Sequence, residues 1–361
     1  MAHALFLIDQ LASGGAPRSV LKVTRALLAS GVRVTLISLS ERTGLSVPDG
    51  AQLHVVPFTP RGRWQKLRRY RLHAERLDAF LDGRQERFDL VVSNLHQAHQ
   101  VVRRSRLADR AWLCIRSDPW QELLSNKAGW RRLVKKAKVR RLYDDKRVIA
   151  LSRTNLASLA RIGSRPCRAE VIPNVLDVTR VRELMRDEIA EPWLRDAPFC
   201  VYVGRLNMRQ KRLDRLLKAF QASEVTQRLV LIGDGDHAAV EREIEALGLQ
   251  ESVIKLGPRD NPYPYMHRAS ALLLASDYEG LPNVLLEALA CGTPVVSTDC
   301  LSGPRDILTG RLAQGLVPLD DIDGFARAIR SSIEAPPAIP SEAVEAYTPE
   351  AVAARYRALM E

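Results

Sequence analysis

The sequence predicts an α/β protein of two Rossmann-like domains that face each other across a cleft. Its 361 residues exceed the size at which one hydrophobic core usually keeps growing, so two domains are expected. Short apolar runs alternate with amphipathic stretches along the whole chain, as in parallel sheets with helical crossovers. The runs are continuously apolar rather than alternating, which is typical of strands covered on both faces.

The strand-like runs form two series. The first series, before residue 180, consists of ALFLID, VRVTLISL, LHVVPF, LVVSN, WLCIRS, VIAL and AEVIP. The second consists of FCVYVG, RLVLIG, VIKLG, ALLLAS, PVVST and GLVP. A polar connection at 178–198 separates them, and the proline-rich tract 334–343 favours an extended second crossing. We therefore expect an N-terminal domain over 1–180, a second domain over 181–344, and a closing helix at 345–361 that packs on the first.

Composition restricts the class of protein. A net charge of +12 predicts attraction to anions, namely nucleotides, nucleic acid or an acidic membrane face. No apolar run approaches the ~20 residues needed to cross a bilayer, and the start of the chain lacks the pattern of a secretory signal. The five cysteines are scattered without zinc-ligand spacing, so we expect free thiols, no bound metal and a cytoplasmic protein.

Two glutamates stand out in DYEGLPNVLLEALACGTPVVSTDC, residues 277–300. The turn EGLPN precedes a short apolar helix, whose N-terminal amides can cradle an anion. Glu287, about one turn inside that helix, could accept hydrogen bonds from two ribose hydroxyls if it faces a cleft, and Glu279 could reach a second polyol. The alternatives are a solvated helix face for Glu287 and a favourable interaction with the helix dipole for Glu279.

Two further segments point to the same cleft. GRLNMRQKR follows a strand and carries Arg205, Lys211 and a second cation beside a helix start, where ligands of open α/β sheets bind. LIGDGD places Gly233 and Gly235 after the next strand, so that backbone could approach a ligand closely. Its two aspartates resemble a metal-binding pair, but simple turn chemistry is the favoured interpretation.

Together with SGPRDIL and VIPNVLD, these segments closely resemble glycosyltransferase family 4, the retaining enzymes of the GT-B fold. Glu279 and Glu287 match the Glu-x7-Glu motif of that family, and the resemblance is strongest to enzymes that build lipid-linked glycans and surface polysaccharides. In the first half, LASGGAPRSVLKVTRALLASGVRVTLISL is similar to the family's opening strand, diglycine loop and helix.

The resemblance implies a role for each matched residue. Arg205 and Lys211 would hold the donor diphosphate, Glu287 would bind the ribose, and Glu279 would contact hydroxyls of the donor sugar. Fixed cations and a helix N-terminus can stabilise the departing diphosphate without a metal ion, so no cofactor is expected. Five more residues would lie near the sugar and phosphate, through amides or the asparagine side chain: Gly280, Leu281, Pro282, Asn283 and Val284.

The first domain would carry the acceptor side of the reaction. Gly14 and Gly15 would line the cleft at the donor phosphates or the acceptor; the alternative is a flexible βα loop. His96 holds the family-like position of a histidine near the reacting sugar, so it joins Glu279 as a candidate catalytic residue, with His99 as its competitor. Arg116 stands where many relatives carry a histidine, and this departure leaves the acceptor contacts open.

The positive charge is concentrated in two segments, 61–81 and 127–143, where aromatic and aliphatic residues interleave with Arg and Lys. Both are predicted to be basic amphipathic helices suited to an anionic bilayer surface; the alternative is a pair of solvated helix faces. By the resemblance we expect a UDP-sugar as the nucleotide-sugar donor and a lipid-linked or glycan acceptor. The basic helices add the expectation of a peripheral position on the inner face of the cytoplasmic membrane. A nucleic-acid-binding protein and a glycoside hydrolase with paired carboxylates are the alternatives.

Overall fold

The strands of the protein follow the predicted apolar runs. The computed structural model describes residues 1–12, 14–84, 86–195 and 197–360. Each predicted run contains a strand, so the strand predictions are confirmed. The strands are β1 (His3–Ile8), β2 (Arg33–Ser38), β3 (Gln52–Val55), β4 (Leu90–Asn94), β5 (Trp112–Ile115), β6 (Arg147–Ala150), β7 (Arg168–Val171), β8 (Phe199–Val203), β9 (Arg228–Ile232), β10 (Val253–Gly257), β11 (Ala271–Leu274), β12 (Val295–Thr298) and β13 (Leu316–Val317).

Helices connect most pairs of successive strands, as the alternating pattern predicted, whereas β2 and β3 are joined by a loop. They are α1 (Gly15–Ala29), α2 (Gly62–Asp82), α3 (His96–Val102), α4 (Pro119–Leu123), α5 (Gly129–Tyr143), α6 (Arg153–Ile162), α7 (Val178–Leu184), α8 (Leu213–Ser223), α9 (His237–Ala246), α10 (Tyr263–Arg268), α11 (Asn283–Ala290), α12 (Pro304–Ile307), α13 (Ile322–Glu334) and α14 (Pro349–Arg357). Short 3₁₀ turns occupy Pro192–Leu194, Gly310–Gly315 and Ser341–Tyr347.

The chain divides into two compact units. The first comprises Met1–Val175 with Tyr347–Glu361, and the second comprises Leu176–Ala346. The boundaries lie a few residues from those expected from the sequence. In the first unit α14 packs on α1, and Tyr356 meets Phe6 edge to face with ring centroids 5.8 Å apart.

Each unit is built on one parallel sheet. The first has the order β3-β2-β1-β4-β5-β6-β7 and the second β10-β9-β8-β11-β12-β13. Both contain the 3-2-1-4-5-6 arrangement of the Rossmann fold. Central strands such as β1 and β4 are buried along their whole length, whereas the edge strands β3 and β7 are partly exposed. The two-domain α/β prediction is confirmed.

The helices differ in how much apolar surface they bury. The longest, α2, spans 21 residues but buries only His73, Ala74, Leu77 and Leu81. Within the described part of the chain, no helix combines the length and the apolar character that crossing a bilayer requires.

Candidate functional site

The second unit has a point at which its strand order reverses direction. The chain runs from β8 outward to β9 and β10, then returns to β11 on the opposite side of β8. Ligands of open α/β sheets bind outside the carboxyl ends of the strands at such a switch point. The loop after β8 carries Arg205 and Lys211, and the loop after β11 carries Glu279. Three of the predicted donor residues therefore lie on one edge of one sheet.

Lys211 and Glu279 contact each other directly. Lys211 Nζ lies 2.6 Å from Glu279 Oε1, and the two side chains are only 16% and 9% exposed. Ser276 Oγ donates a second hydrogen bond to the same carboxylate oxygen at 2.7 Å. An ion pair withdrawn from water in this way depends on both partners, because removing one leaves an uncompensated buried charge. From the sequence, Lys211 was expected to contact the donor diphosphate and Glu279 the donor sugar. In the structure the two side chains also contact each other.

The loop that holds Glu279 is hydrogen-bonded to the end of β12 and to the loop that follows β12. Thr298 Oγ1 donates to Ser276 O at 2.6 Å, and Ser302 Oγ donates to Glu279 O. Gly303 packs so closely that a Cβ there would lie 2.5 Å from Cδ of Pro282. The SGPRDIL segment therefore supports the turn that precedes α11.

The start of α11 presents the predicted anion cradle. Pro282 occupies the N-cap position, and its side chain makes no capping hydrogen bond. Because proline has no N–H, the amides that this turn can offer a ligand come from its neighbours Gly280, Leu281, Asn283 and Val284. The side chains of Leu281 and Pro282 are buried, so they would serve a ligand only by shaping the backbone.

Glu287 lies half-buried one turn into α11. Burial, and then the charge of Glu287 and a hydrogen bond with it, raise the pKa of the Tyr263 hydroxyl well above its ordinary value. Tyr263 begins α10, and its neutral hydroxyl can orient the carboxylate. Tyr263 could not be selected from the sequence, because an isolated tyrosine at a helix start carries no signal of its own.

The other cations near the start of α8 are paired with carboxylates of the protein. Arg215 Nη1 donates to Asp277 Oδ1 at 2.8 Å and to Ala275 O at 2.9 Å. Arg212 binds Asp214 at 2.8 Å and Asp277 at 3.3 Å. These two arginines therefore hold the loop after β11 in place. Arg205, by contrast, is exposed.

Gly233 and Gly235 allow two loops of the second unit to interlock. A Cβ at Gly233 would lie 1.8 Å from Gly204 O, and one at Gly235 would lie 2.3 Å from Leu206 O. Leu206 N donates to Asp234 O at 2.8 Å across the same junction. These glycines allow two protein segments to approach each other closely. This packing explains the need for glycine at both positions without any ligand. Their donor-binding role stays a prediction.

The aspartates of the LIGDGD turn are engaged locally. Asp234 Oδ1 accepts from Gly235 N at 2.8 Å and lies 3.1 Å from His237 Nε2. Asp236 Oδ1 caps α9 by accepting from Ala239 N at 3.0 Å. This is the turn chemistry that the sequence favoured for the pair.

The first unit has an equivalent switch point between β1 and β4. Asp9 follows β1, and its carboxylate accepts hydrogen bonds from Ala98 N at 2.6 Å and Gln97 N at 3.1 Å, at the start of α3. Burial raises the pKa of Asp9 to about 6, although these two amides favour its charged form. The sequence analysis missed Asp9; its position directly after a buried strand was the available signal.

A cavity of about 570 Å³ opens beside Asp9. Charged and neutral polar side chains contribute much of its wall, and the apolar members are Leu39, Pro57, Phe58 and Leu95. Such a mixture of hydrogen-bonding groups and an aromatic face suits a hydroxylated ligand. The polar lining residues are Asp9, Gln10, Ser40, Glu41, Arg42, Thr59 and Gln97.

The structure separates the two candidate histidines. His99 is buried; its Nε2 lies 3.1 Å from Ser93 O and its Nδ1 3.2 Å from the Tyr143 hydroxyl. Burial lowers the pKa of His99 to about 3, so it is a neutral core residue. His96 is exposed at the start of α3. Desolvation by the protein around it, and then the charge of Lys135, lower the pKa of His96.

The diglycine loop lies at the start of α1. Gly14 occupies the N-cap with φ 131°, a conformation that favours glycine. Among the described residues, apart from its chain neighbours and the backbone of its own helix, nothing lies within 4 Å of where a Cβ of Gly15 would stand, and Arg18, one turn on, is exposed. Ser13, just before the pair, lies outside the described residues. The role of Gly14 and Gly15 in ligand binding stays a prediction.

Both basic segments are helices, as predicted, and each is anchored by its C-terminal half. In α2 the buried residues begin at His73, and in α5 the buried residues are Val139, Leu142 and Tyr143. Large apolar side chains on the N-terminal halves stay exposed: Trp64 81%, Leu67 75%, Trp130 69% and Leu133 68%.

These N-terminal halves belong to the carboxyl edge of the sheet, because each helix leads back to the amino end of the next strand. The positive charges of Lys135 in α5 and Arg69 in α2 both lower the pKa of His96, so the two helices flank the start of α3. The exposed basic and apolar surface therefore lies on the same edge of the first unit as the cavity.

Two family models match the chain, one in each half. Residues 14–175 match a model described as glycosyl transferase 4-like domain, and residues 197–335 match one described as glycosyl transferases group 1. Together they cover most of the chain.

Curated relatives agree with these models. The chain is 27% identical to N-acetylgalactosamine-N,N'-diacetylbacillosaminyl-diphospho-undecaprenol 4-alpha-N-acetylgalactosaminyltransferase of Campylobacter jejuni, over 91% of this chain and 89% of that protein. It is 37% identical to lipopolysaccharide 1,6-galactosyltransferase of Salmonella typhimurium, over 38% of this chain. That alignment spans 40% of the Salmonella protein. An uncharacterized glycosyltransferase of Methanocaldococcus jannaschii is 30% identical over 40% of this chain, and the alignment spans 37% of that protein.

Solved structures share the fold over nearly the whole chain. Anabaena HepE in complex with UDP-glucose has a TM-score of 0.75 at 17% identity, covering 99% of both chains. The lipopolysaccharide outer core galactosyltransferase WaaB in its apo form has a TM-score of 0.70 at 20% identity, covering 99% of this chain and 98% of that one. The chain thus belongs to the family 4 glycosyltransferases, nucleotide-sugar-dependent enzymes of the GT-B fold.

Proposed function

We propose that this chain is a retaining glycosyltransferase that moves a sugar from a UDP-sugar to a lipid-linked or polysaccharide acceptor in cell-envelope glycan synthesis, without a metal ion. The observation that carries the proposal is the Lys211–Glu279 pair beside the start of α11, at the switch point of the second sheet. Relatives named for lipopolysaccharide and diphospho-undecaprenol glycans support the acceptor class, and the UDP-glucose complex of HepE supports the donor.

The chemistry follows from where charge develops. The bond between the sugar C1 and the diphosphate oxygen breaks, so negative charge grows on the leaving group. Lys211, Arg205 and the amides at the start of α11 would stabilise that charge, while Glu279 would bind the sugar hydroxyls. The acceptor oxygen forms its bond to C1 on the face that the diphosphate leaves, and its proton passes to the departing phosphate oxygen. His96 would lie near the reacting sugar.

The two alternatives from the sequence receive less support. A glycoside hydrolase needs two carboxyl groups that flank one glycosidic bond, one of them a proton donor; Glu279 is instead paired with a lysine. A nucleic-acid-binding protein would place its cations along a backbone track with bases stacked on aromatic rings. Here the exposed tryptophans stand among cations on two helices that flank the start of α3, where Gln97 lines a cavity suited to a hydroxylated ligand.

A donor screen tests the proposal. UDP-glucose, UDP-galactose, their N-acetyl forms and GDP-mannose are each incubated with undecaprenyl diphosphate-linked glycans, and the released nucleotide is measured with and without EDTA. We expect release with a UDP-sugar, unchanged by EDTA, and stabilisation of the folded chain by UDP of about 2.7 kcal/mol at 100 times its Kd. Loss of turnover in EDTA would refute metal independence. Absence of UDP binding together with steeply salt-dependent oligonucleotide binding would favour the nucleic-acid alternative.

We also propose that the N-terminal halves of α2 and α5 dock the enzyme on an anionic membrane face, which would bring a lipid-linked acceptor to the cavity. Trp64, Leu67, Trp130 and Leu133 would enter the interface while the basic residues contact lipid head groups. Each basic residue near such a surface contributes about 1 kcal/mol.

Charge reversal should abolish this docking. Changing Arg68, Arg69, Lys135 and Lys136 to glutamate is expected to weaken binding to phosphatidylglycerol-containing vesicles by at least ~1,000-fold, since four contributions of about 1 kcal/mol are lost. Sedimentation with the vesicles measures the effect. A matched control reverses four exposed cations of the second unit, Arg182, Arg186, Arg228 and Arg242. Equal losses in both variants would mean that net charge, rather than these helices, determines binding.

A further inference from the structure

Arg116 is held in a defined orientation by two asparagines. It follows β5, and its Nε and Nη2 donate to Asn94 Oδ1 at 3.1 and 2.8 Å. Its Nη1 donates to Asn174 Oδ1 at 2.9 Å. The guanidinium therefore donates hydrogen bonds to a neutral amide oxygen on each of two asparagines.

The asparagines are themselves fixed. Asn94 is 0% exposed and Asn174 is 5% exposed. Asn94 Nδ2 donates to Leu7 O at 3.2 Å, which determines that its oxygen, and not its nitrogen, faces Arg116. Because both amides are buried, they hold the guanidinium of Arg116 in one position.

The charge of Arg116 has no counter-ion among the described residues. Asp118, two residues on, directs Oδ1 to Gln121 N at 2.8 Å and to Ser158 Oγ at 2.9 Å. The titratable groups that face Arg116 supply no negative charge either. Burial keeps each of them neutral, lowering the pKa of the histidine and raising those of the thiol and the phenol: His99, Cys114 and Tyr356.

Arg116 also has donors left over. A guanidinium carries five N–H groups, and three of them are engaged by Asn94 and Asn174. The other two lie one on each terminal nitrogen, and such a pair of donors can meet two oxygens of a phosphate. The partly exposed side chain lies at the carboxyl end of β5, the edge at which ligands of such sheets bind. In the second unit, by contrast, Lys211, Arg212 and Arg215 all meet carboxylates.

We propose that Arg116 is a phosphate-binding residue of the first unit, taking two oxygens of a phosphate ester through its outer N–H pair. The phosphate could belong to the diphosphate of the nucleotide donor or to the diphosphate of a lipid-linked acceptor. Both sources follow from the proposed function, on which this proposal therefore rests. Asn94 and Asn174 are the positioning residues, which orient the guanidinium without neutralising it.

Calorimetric titration of the full-length protein with UDP and with geranyl diphosphate tests the proposal. Arg116→Met is expected to weaken one of the two ligands at least tenfold, and the ligand affected identifies the source. Arg116→Lys, which keeps the charge but loses the fork, should bind that ligand with intermediate affinity. The control Arg33→Met removes one exposed charge from the opposite, amino edge of the same sheet and should leave both affinities unchanged.

A second variant separates binding from a purely structural role. Asn174→Asp keeps the contact with Arg116 but adds a counter-ion, so the same ligand should again bind at least tenfold more weakly while the fold is retained. Unchanged affinity of both diphosphates in Arg116→Met, or in a folded Asn174→Asp, would overturn the proposal. Failure of the wild-type protein to bind UDP would instead count against the proposed function, and the geranyl diphosphate titration would still decide the role of Arg116.

Discussion

Replacement of Lys211 by methionine is expected to destabilise the protein by about 3 kcal/mol, the cost typical of stranding one member of a buried ion pair. Glu279 would keep its hydrogen bond from Ser276 but lose the cation 2.6 Å away. The same variant should lower kcat/KM by about 100-fold or more, because one fixed donor aimed at developing charge is commonly worth that much. Urea unfolding of the full chain measures the first effect, and initial rates with the donor identified by the screen measure the second.

A double variant separates stability from catalysis. Lys211→Met combined with Glu279→Gln removes both charges, so stability should return to within about 1 kcal/mol of the wild type. Activity should not return, because the phosphate contact and the sugar contact are both lost. Recovery of activity in the double variant would show that Lys211 serves only to neutralise Glu279.

Lys218→Met provides a matched control in the same region of the second unit. Lys218 lies 3.5 Å from Glu243 in a pair whose side chains are 48% and 25% exposed. An exposed pair contributes less than about 1 kcal/mol, so this variant should be close to wild type in stability and in activity. A loss in Lys218→Met as large as that in Lys211→Met would contradict the importance given to burial.

The sequence predicted the strands well for a physical reason. A strand covered on both faces must be apolar at every position, and β1 and β4 are fully buried along their length. That pattern is visible in a single sequence. The edge strands β3 and β7, which are partly exposed, were still found because short apolar runs remained within them.

The contacts of the site were harder to predict because they depend on strand order. Lys211 and Glu279 are far apart in sequence and meet only because β11 lies beside β8. Apolar runs show where strands are but not which of them are neighbours. The same limit applies to Asp9, whose carboxylate reaches the start of α3 only because β4 pairs with β1.

Residue type alone is ambiguous where one residue suits two purposes. Gly233 and Gly235 were predicted to let backbone approach a ligand, and the structure adds a second reason for them, because the positions of their missing side chains are filled by backbone oxygens of Gly204 and Leu206. Arg212, the cation that follows Lys211, binds Asp214 and Asp277. Only the packing of neighbouring loops distinguishes these cases.

Glu287→Ala should weaken UDP binding about 10- to 100-fold, since a carboxylate that accepts hydroxyl hydrogen bonds contributes about 1.5–3 kcal/mol. The position suits that role: Glu287 is half-buried one turn beyond the start of α11 and is hydrogen-bonded by the Tyr263 side chain. Calorimetric titration with UDP measures the loss. Glu287→Gln, similar in shape but uncharged, should lose less than the alanine variant.

The ligand offers a sharper test than the affinity alone. Wild-type protein should bind 2′-deoxy-UDP about 10-fold or more weakly than UDP, because a carboxylate built to meet a hydroxyl is left unpaired without it. In Glu287→Ala this preference should vanish, so that both nucleotides bind equally. If the preference survives in the variant, another residue reads the ribose and the assignment of Glu287 is wrong.

Tyr263→Phe examines how the carboxylate is positioned. Loss of one hydroxyl leaves the charge of Glu287 in place but removes a hydrogen bond that orients it, so UDP affinity should fall by about 5- to 10-fold, as expected for about 1 kcal/mol. In Glu287→Ala the further change Tyr263→Phe should have no effect, because the phenol acts only through the carboxylate. Additive losses in the double variant would mean that Tyr263 contacts the nucleotide itself.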